Sequence, residues 1–103
     1  MNRIESLQKF LKESPGDNFL QHALALEYIK EGNEKEARVL FETILNRDAE
    51  YVGSYYHLAK LLERTGNPEE AIKIYEKGMI YCKKVGDQHA YNELQAAYED
   101  LTF

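Results

Sequence analysis

The stretch LALEYIKEGNEKEARVLF, residues 24–41, returns later in the chain as LAKLLERTGNPEEAIKIY, residues 58–75. The two stretches lie 34 residues apart and share a Leu-Ala pair, a Gly-Asn pair and a Glu-Ala pair at matching places. The same step taken backwards aligns Leu7 with Phe41 and Leu11 with Leu45. A period held over most of a chain indicates a repeat architecture, in which each unit is one supersecondary element.

The first unit has the pattern of two helices separated by a sharp stop. Leu24 and Tyr28 recur at helical spacing until Gly32, which can end a helix because glycine tolerates the left-handed backbone conformation. Asn33 follows as a predicted N-cap, and Glu36 stands three residues later, as in a capping box. A second helical run then begins.

The second unit repeats this pattern with one addition. Gly66 is the predicted stop and Asn67 the predicted cap of the next helix. Pro68 falls at the first helical position, where its missing N–H costs nothing, and Glu70 takes the third. Matched stops and caps favour a true repeat over a bundle whose halves are similar by accident.

Small residues indicate how the two helices of a unit pack. The recurring alanines are Ala25, Ala37, Ala59 and Ala71. If the helices are antiparallel, two alanines meet at each crossing and let the helix axes approach closely. Phe41 and Tyr75 are then expected to fill the space beside the two crossings.

Both ends of the chain carry amphipathic helices that can close the stack. The N-terminal apolar positions are Ile4, Leu7, Phe10 and Leu11, and the C-terminal stripe is Ala90, Tyr91, Leu94, Ala97, Tyr98 and Leu101. We therefore predict six helices, near residues 2–13, 18–31, 34–46, 52–65, 68–84 and 88–101.

Composition narrows the class of function. The chain has 103 residues, is 44% hydrophobic and carries a formal net charge of −5, which argues against nucleic-acid binding through phosphate contacts. Cys82 is the single cysteine, so neither an intramolecular disulfide nor a cysteine-based zinc site is expected. Since no signal peptide or membrane-spanning run is visible, we expect a cytoplasmic protein. No metal or cofactor is expected.

The repeat resembles the tetratricopeptide repeat. The first unit supplies Leu24-Ala25, Tyr28, Gly32, Ala37 and Phe41, and the second supplies Tyr55, Leu58-Ala59, Leu62, Gly66, Ala71 and Tyr75. Three positions depart from the family pattern. Gln21 replaces a large aromatic residue, Gly78 replaces an alanine, and the terminal proline is present only as Pro15.

The resemblance implies an all-α solenoid of about six antiparallel helices in one domain, residues 1–103. An N-terminal helix and turn (1–17) would precede two repeats (18–51 and 52–85) and a capping helix (86–103). The chain is most similar to short stand-alone bacterial members of the family, which end in a helix like the one containing Glu93-Leu94-Gln95.

The resemblance also implies a function: a protein or peptide segment binds along the concave groove lined by the first helix of each repeat. Counting helical faces, the residues expected to line this groove are Phe19, His22, Leu26, Ile29, Lys30, Tyr56, His57, Lys60, Glu63, Arg64 and Tyr91. The lysine–asparagine clamp that some members use for a C-terminal carboxylate is not matched, since Ala23, Leu26 and His57 stand at its positions. A segment with apolar side chains and some acidity is the expected ligand.

Two other functions remain open at this point. The chain could be a structural protein that forms a homodimer, with the groove covered by a second copy. It could instead be an enzyme or metal-binding protein that uses His22 and His57. Lys83 and Lys84 could lower the pKa of Cys82, but a structural thiol is the favoured interpretation of that residue. No motif for phosphate binding or hydrolysis accompanies these residues, so we predict a protein without catalytic activity.

Overall fold

The computed structural model describes residues 2–103, and within them it contains six α-helices and no strand. The helices are α1 (Arg3–Glu13), α2 (Asn18–Lys30), α3 (Glu34–Arg47), α4 (Gly53–Arg64), α5 (Pro68–Val85) and α6 (Gln88–Thr102). The all-α class and the six predicted helices are confirmed, and every helix end lies within about one residue of its prediction.

Glycines end α2 and α4 as the sequence predicts. Gly32 has φ 80° and Gly66 has φ 82°, in the left-handed region that glycine adopts without steric penalty. The next residue then donates its N–H to a carbonyl one turn back: Asn33 to Tyr28 at 2.8 Å, and Asn67 to Leu62 at 2.8 Å. These bonds satisfy carbonyls that would otherwise end the helix without a partner.

The predicted side-chain cap at the start of α5 is wrong. Asn67 makes no capping hydrogen bond to α5, because its side-chain amide donates to the carbonyl and the hydroxyl of Thr65. Its backbone carbonyl still accepts from the N–H of Ala71 at 3.0 Å, so the first turn is closed by the main chain. The hydrogen bonds from the Asn67 side chain to Thr65 thus replace the predicted side-chain cap.

The first compact unit extends through Arg47 and contains α1, α2 and α3. Helix α2 packs against both α1 and α3. Its core joins Leu7 of α1 to Ala23 and Leu24 of α2. Ala25 and Ala37 are fully buried, as expected for small residues at a close helix crossing.

The second compact unit, Asp48–Phe103, contains α4, α5 and α6, each in contact with the other two. Its fully buried side chains include Tyr55, Ala59, Ala71, Tyr75 and Cys82. The core of this unit is therefore built around aromatic residues on α4 and α5.

Gly78 on α5 explains one departure from the family pattern. A Cβ at this position would lie 2.8 Å from the Cβ of Tyr55 and 2.8 Å from Cδ1 of Leu94, closer than real Cβ contacts. The missing side chain lets α4 and α6 approach α5 at one point. Glycine is required here for space, not for backbone conformation.

The predicted organisation is one domain with two full repeats and a capping helix. It stays a prediction, because the structure describes two compact units, each defined by contacts within itself. No helix in residues 2–103 is long and apolar enough to cross a membrane.

Candidate functional site

The residues predicted on α2 share one face of that helix. They are Phe19, His22, Leu26, Ile29 and Lys30; the first four are spaced by three or four residues, and Lys30 lies four residues after Leu26. Phe19 is 68% exposed and Lys30 is exposed, whereas His22, Leu26 and Ile29 are half-buried. The α2 face is therefore an accessible apolar strip with a cation at its C-terminal end.

Two residues of the α2 face, His22 and Lys30, are held by contacts within the first unit. The ring of His22 lies edge-on to the ring of Phe41 in α3, with 5.5 Å between centroids, so this histidine is a packing residue. Lys30 forms an ion pair with Glu27 at 3.2 Å, and Arg3 reaches the same carboxylate at 3.4 Å. The positive charge at this end is therefore partly neutralised within the first unit.

The residues predicted on α4 also share one face, opposite the buried one. They are Tyr56, His57, Lys60, Glu63 and Arg64, and all are half-buried or exposed. The buried face consists of Ser54, Tyr55, Leu58, Ala59, Leu61 and Leu62. Helical periodicity thus separates the core of the second unit from a polar and aromatic surface.

Glu63 connects the α4 face to α5. Its carboxylate accepts a hydrogen bond from the hydroxyl of Tyr75 and lies 3.7 Å from the ammonium of Lys60. Burial, followed by the hydrogen bond to Glu63, raises the pKa of Tyr75, so the phenol remains a donor. The sequence identified Tyr75 only as a core aromatic, because periodicity carries no information about where a hydroxyl points.

His57 has charged neighbours from two elements. Burial lowers its pKa, Arg64 of α4 lowers it further, and Glu93 of α6 raises it. Its ring also lies edge-on to that of Tyr56, with 5.6 Å between centroids. Glu93 was not predicted as part of this face, since its contribution depends on how α6 packs in the second unit.

Tyr91 lies in a cleft between α5 and α6. The ammonium of Lys83 sits 5.0 Å from the centre of its ring, within the range of a cation–π contact. Glu76, Met79, Ile80 and Tyr98 line the same cleft.

The structure does not support the alternative that Lys83 and Lys84 lower the pKa of Cys82. Cys82 is fully buried, and burial together with Asp87 raises the pKa of its thiol. Among residues 2–103 no group of three or more His, Cys, Asp and Glu side chains is arranged to hold a metal ion. The α2 and α4 faces carry aromatic, apolar and cationic side chains.

A family model and a solved structure both relate this chain to the tetratricopeptide repeat family. A family model described as tetratricopeptide repeat matches residues 28–98. A tetratricopeptide repeat domain protein from Salinibacter ruber is 40% identical, with a TM-score of 0.81 for both its crystal and its solution structure. The crystal-structure match covers 84% of this chain and 96% of that one.

A protein from Bordetella parapertussis, solved in solution, shares the fold at lower identity. It has a TM-score of 0.85 and 24% identity, over 99% of this chain and 89% of its own. No functionally curated protein matches the chain.

Proposed function

Because this chain belongs to the tetratricopeptide repeat family, we propose that it is a binding module without catalytic activity. It takes a protein or peptide segment on the first-helix faces of its repeats. Repeats of this family generally mediate protein–protein interaction and form non-catalytic scaffolds. The partner contacts are assigned to the α2 and α4 faces defined above.

The observation that carries this proposal is the α4 face. Tyr56 and Arg64 belong to the residue types that most often dominate binding free energy at interfaces. Glu63 is already held by Tyr75 and Lys60, so part of the surface is ordered before a ligand arrives. Preorganisation lowers the entropy lost on association.

The chemistry of the two faces indicates the ligand. Phe19, Leu26 and Ile29 on α2 offer apolar contact, and Lys60 and Arg64 on α4 offer positive charge. A segment with apolar side chains and carboxylates complements both sets. Charge complementarity of this kind also accelerates association at low ionic strength.

The test compares partner capture by the natural chain and by a Tyr56→Ala, Arg64→Glu variant. The matched control is Lys9→Glu, Phe10→Ala, which changes an exposed cation and an exposed aromatic residue on α1. The partner captured by the natural chain is identified and its affinity for each form is measured by calorimetry.

Loss of about 2 kcal/mol or more, equivalent to roughly thirtyfold in Kd, is expected for the α4 variant and not for the control. Helical content and thermal midpoint should be the same in all three forms. Equal affinity of the natural and α4-variant forms would remove the α4 face from the proposal.

A second candidate, self-assembly, has its own supporting observation. Phe10, Phe19 and Val39 are large apolar residues that are all more than half exposed in the first unit. A homodimer would cover some of this surface. It predicts a sedimentation coefficient that rises with protein concentration and that becomes independent of concentration in a Phe19→Ser variant.

A further inference from the structure

The cleft between α5 and α6 is lined by side chains that the proposed contacts on α2 and α4 do not use. Its volume is about 320 Å³, and its lining is Glu76, Met79, Ile80, Lys83, Tyr91 and Tyr98. This volume lies at the lower end of the range for ligand pockets. Four of the six lining residues present apolar or aromatic surface.

Ile80 is the most informative residue of the cleft. It is 67% exposed, whereas the exposed residues three or four positions from it on α5 are all charged: Glu76, Lys77, Lys83 and Lys84. An isoleucine at the rim of an aromatic cleft, next to three lysines and one glutamate, forms an apolar contact point surrounded by charge. Such a patch is typical of a docking surface.

The two tyrosines of the cleft are held in position. The hydroxyl of Tyr98 donates to the carboxylate of Glu76 at 3.2 Å, and the ammonium of Lys83 covers the ring of Tyr91. Each contact joins α5 to α6. The cleft is therefore braced at two points along its length, and its aromatic walls are ordered without a ligand.

The two edges of the cleft differ in charge. The α5 edge carries Lys73, Lys77 and Lys83, with Glu76 between them. The α6 edge carries exposed amides, of which Gln88 donates to Asn92 at 2.7 Å, and one carboxylate, Glu99, at the end of the same stripe. In a chain with a net charge of −5, this edge of α5 is locally positive, so it complements an acidic ligand.

We propose that the α5–α6 cleft is a second docking surface, which takes an acidic amphipathic helix of a partner protein. Glu76, Ile80 and Lys83 follow one another at about one helical turn, which suits a ligand whose contacts also recur every turn. Its apolar side chains pack on Met79, Ile80 and the tyrosines, and its carboxylates face the lysines.

A second copy of this chain fits the cleft less well. The exposed phenylalanine of α1, Phe10, is flanked by Lys9 and Lys12. Docking α1 of another copy would bring these lysines to Lys77 and Lys83, and like charges in contact are unfavourable. Charge therefore disfavours docking of α1 of a second copy on this surface.

The probe is a fluorescein-labelled peptide of about three helical turns, with leucines at every third or fourth position and glutamates elsewhere. Two comparison peptides replace all glutamates with lysine or all leucines with serine. Fluorescence anisotropy gives Kd for the natural chain, for Ile80→Asp and for Lys77→Glu, Lys83→Glu. Tyr56→Ala, Arg64→Glu serves as the α4-face control, and Val39→Asp as the control for an exposed apolar residue elsewhere.

The glutamate–leucine peptide should bind the natural chain, and its affinity should fall as the salt concentration is raised. Its affinity for either cleft variant should be about tenfold lower than for the natural chain. Both control variants should bind it like the natural chain. These results do not depend on the α4 face, so the two proposals succeed or fail separately.

Four outcomes would overturn the cleft proposal. They are no binding by the natural chain, unchanged affinity in Ile80→Asp, equal binding of the lysine peptide, and loss of binding only in the α4-face variant. Concentration-dependent dimerisation that Ile80→Asp abolishes, without peptide binding, would assign the cleft to a second copy instead.

Discussion

The two repeats solve the same packing problem with different side chains. Three pairs of equivalent residues, 34 positions apart, illustrate the difference between the units. Gln21 corresponds to Tyr55, Ile44 to Gly78, and Arg47 to Tyr81. All three substitutions change size or polarity, yet each unit is built on the same kind of helix pair.

One hydrogen bond is common to both units. The side-chain amide of Gln21 donates to the carbonyl of Pro15 at 3.0 Å, and the hydroxyl of Tyr55 donates to the carbonyl of Ala49 at 2.6 Å. Each acceptor lies six residues before its donor. The repeat therefore requires a donor that ties the start of its first helix to the preceding turn, and either an amide or a phenol can supply it.

The surroundings of this donor differ. In the first unit Arg47 donates to Gln21 at 2.7 Å and also to Asn18. In the second unit Tyr81 stacks on Tyr55, with 6.3 Å between centroids and 8° between ring planes. A polar pair and an aromatic pair thus occupy equivalent places.

Volume is exchanged as well as polarity. Ile44 is a fully buried side chain in α3, whereas its counterpart Gly78 leaves its space to Tyr55 and Leu94. Cores tolerate such exchanges when the total volume is conserved. A large residue at one position of the repeat is matched by a small one at another.

Removing the two donors should have unequal effects. Tyr55→Ala should lower the free energy of unfolding by about 3–5 kcal/mol, because a fully buried aromatic ring is lost. Gln21→Ala should cost about 1 kcal/mol, since Arg47 keeps Asn18 and the exposed Pro15 can be hydrated. Urea unfolding followed by circular dichroism measures both, and an equal loss at the two positions would contradict the comparison.

Adding one methyl group at Gly78 should destabilise the second unit. Gly78→Ala should cost about 1–3 kcal/mol, although alanine favours a helix, because its Cβ would overlap Tyr55 and Leu94. The control is Gly53→Ala at the exposed start of α4, where a Cβ meets nothing within 4 Å and stability should be unchanged or slightly higher.

A double-mutant cycle sharpens this prediction. In a Tyr55→Ala background the Gly78→Ala change should cost less than in the natural chain, because the Tyr55 ring, with the Cγ that lies 2.8 Å from the added Cβ, is gone and the remaining Cβ has room to shift. If the losses in free energy of unfolding are additive, the Tyr55 side chain does not compete for space with a methyl group at position 78.

The shared hydrogen bond can be tested without disturbing packing. Tyr55→Phe keeps the ring stacked on Tyr81 but leaves the carbonyl of Ala49 without its donor, so a loss of about 1 kcal/mol is expected. Tyr81→Phe is the matched control and should have little effect on urea unfolding. Identical midpoints for the two variants would mean that the bond to Ala49 contributes nothing.

The smallest expected effect concerns pH. His57 stands where the first unit has Ala23, and burial holds its pKa below the ordinary value of 6.5. The unfolded chain therefore binds this proton more tightly than the folded chain, so stability falls as pH drops from about 7 through 6.5 and below. His57→Ala should lessen this fall in thermal midpoint, and His89→Ala, an exposed histidine on α6, should not.

The elements were predictable from local signals. Gly32 and Gly66 end their helices because of a backbone preference that depends on one residue and its neighbours. The α2 and α4 faces followed from periodicity, since a helix places every third or fourth residue on one side. Asn67 shows the limit of such signals, because Thr65 offers its side chain a second set of acceptors.

The amino-acid sequence by itself determined the period, the six helices and the residues that share each helical face, because these depend on interactions within a few residues. Tertiary structure alone decided that Gly78 admits Tyr55, that Tyr75 holds Glu63 and that α5 and α6 form a cleft around Ile80. These features depend on distances between helices, and such distances are set by side-chain volumes that meet only after the helices have packed.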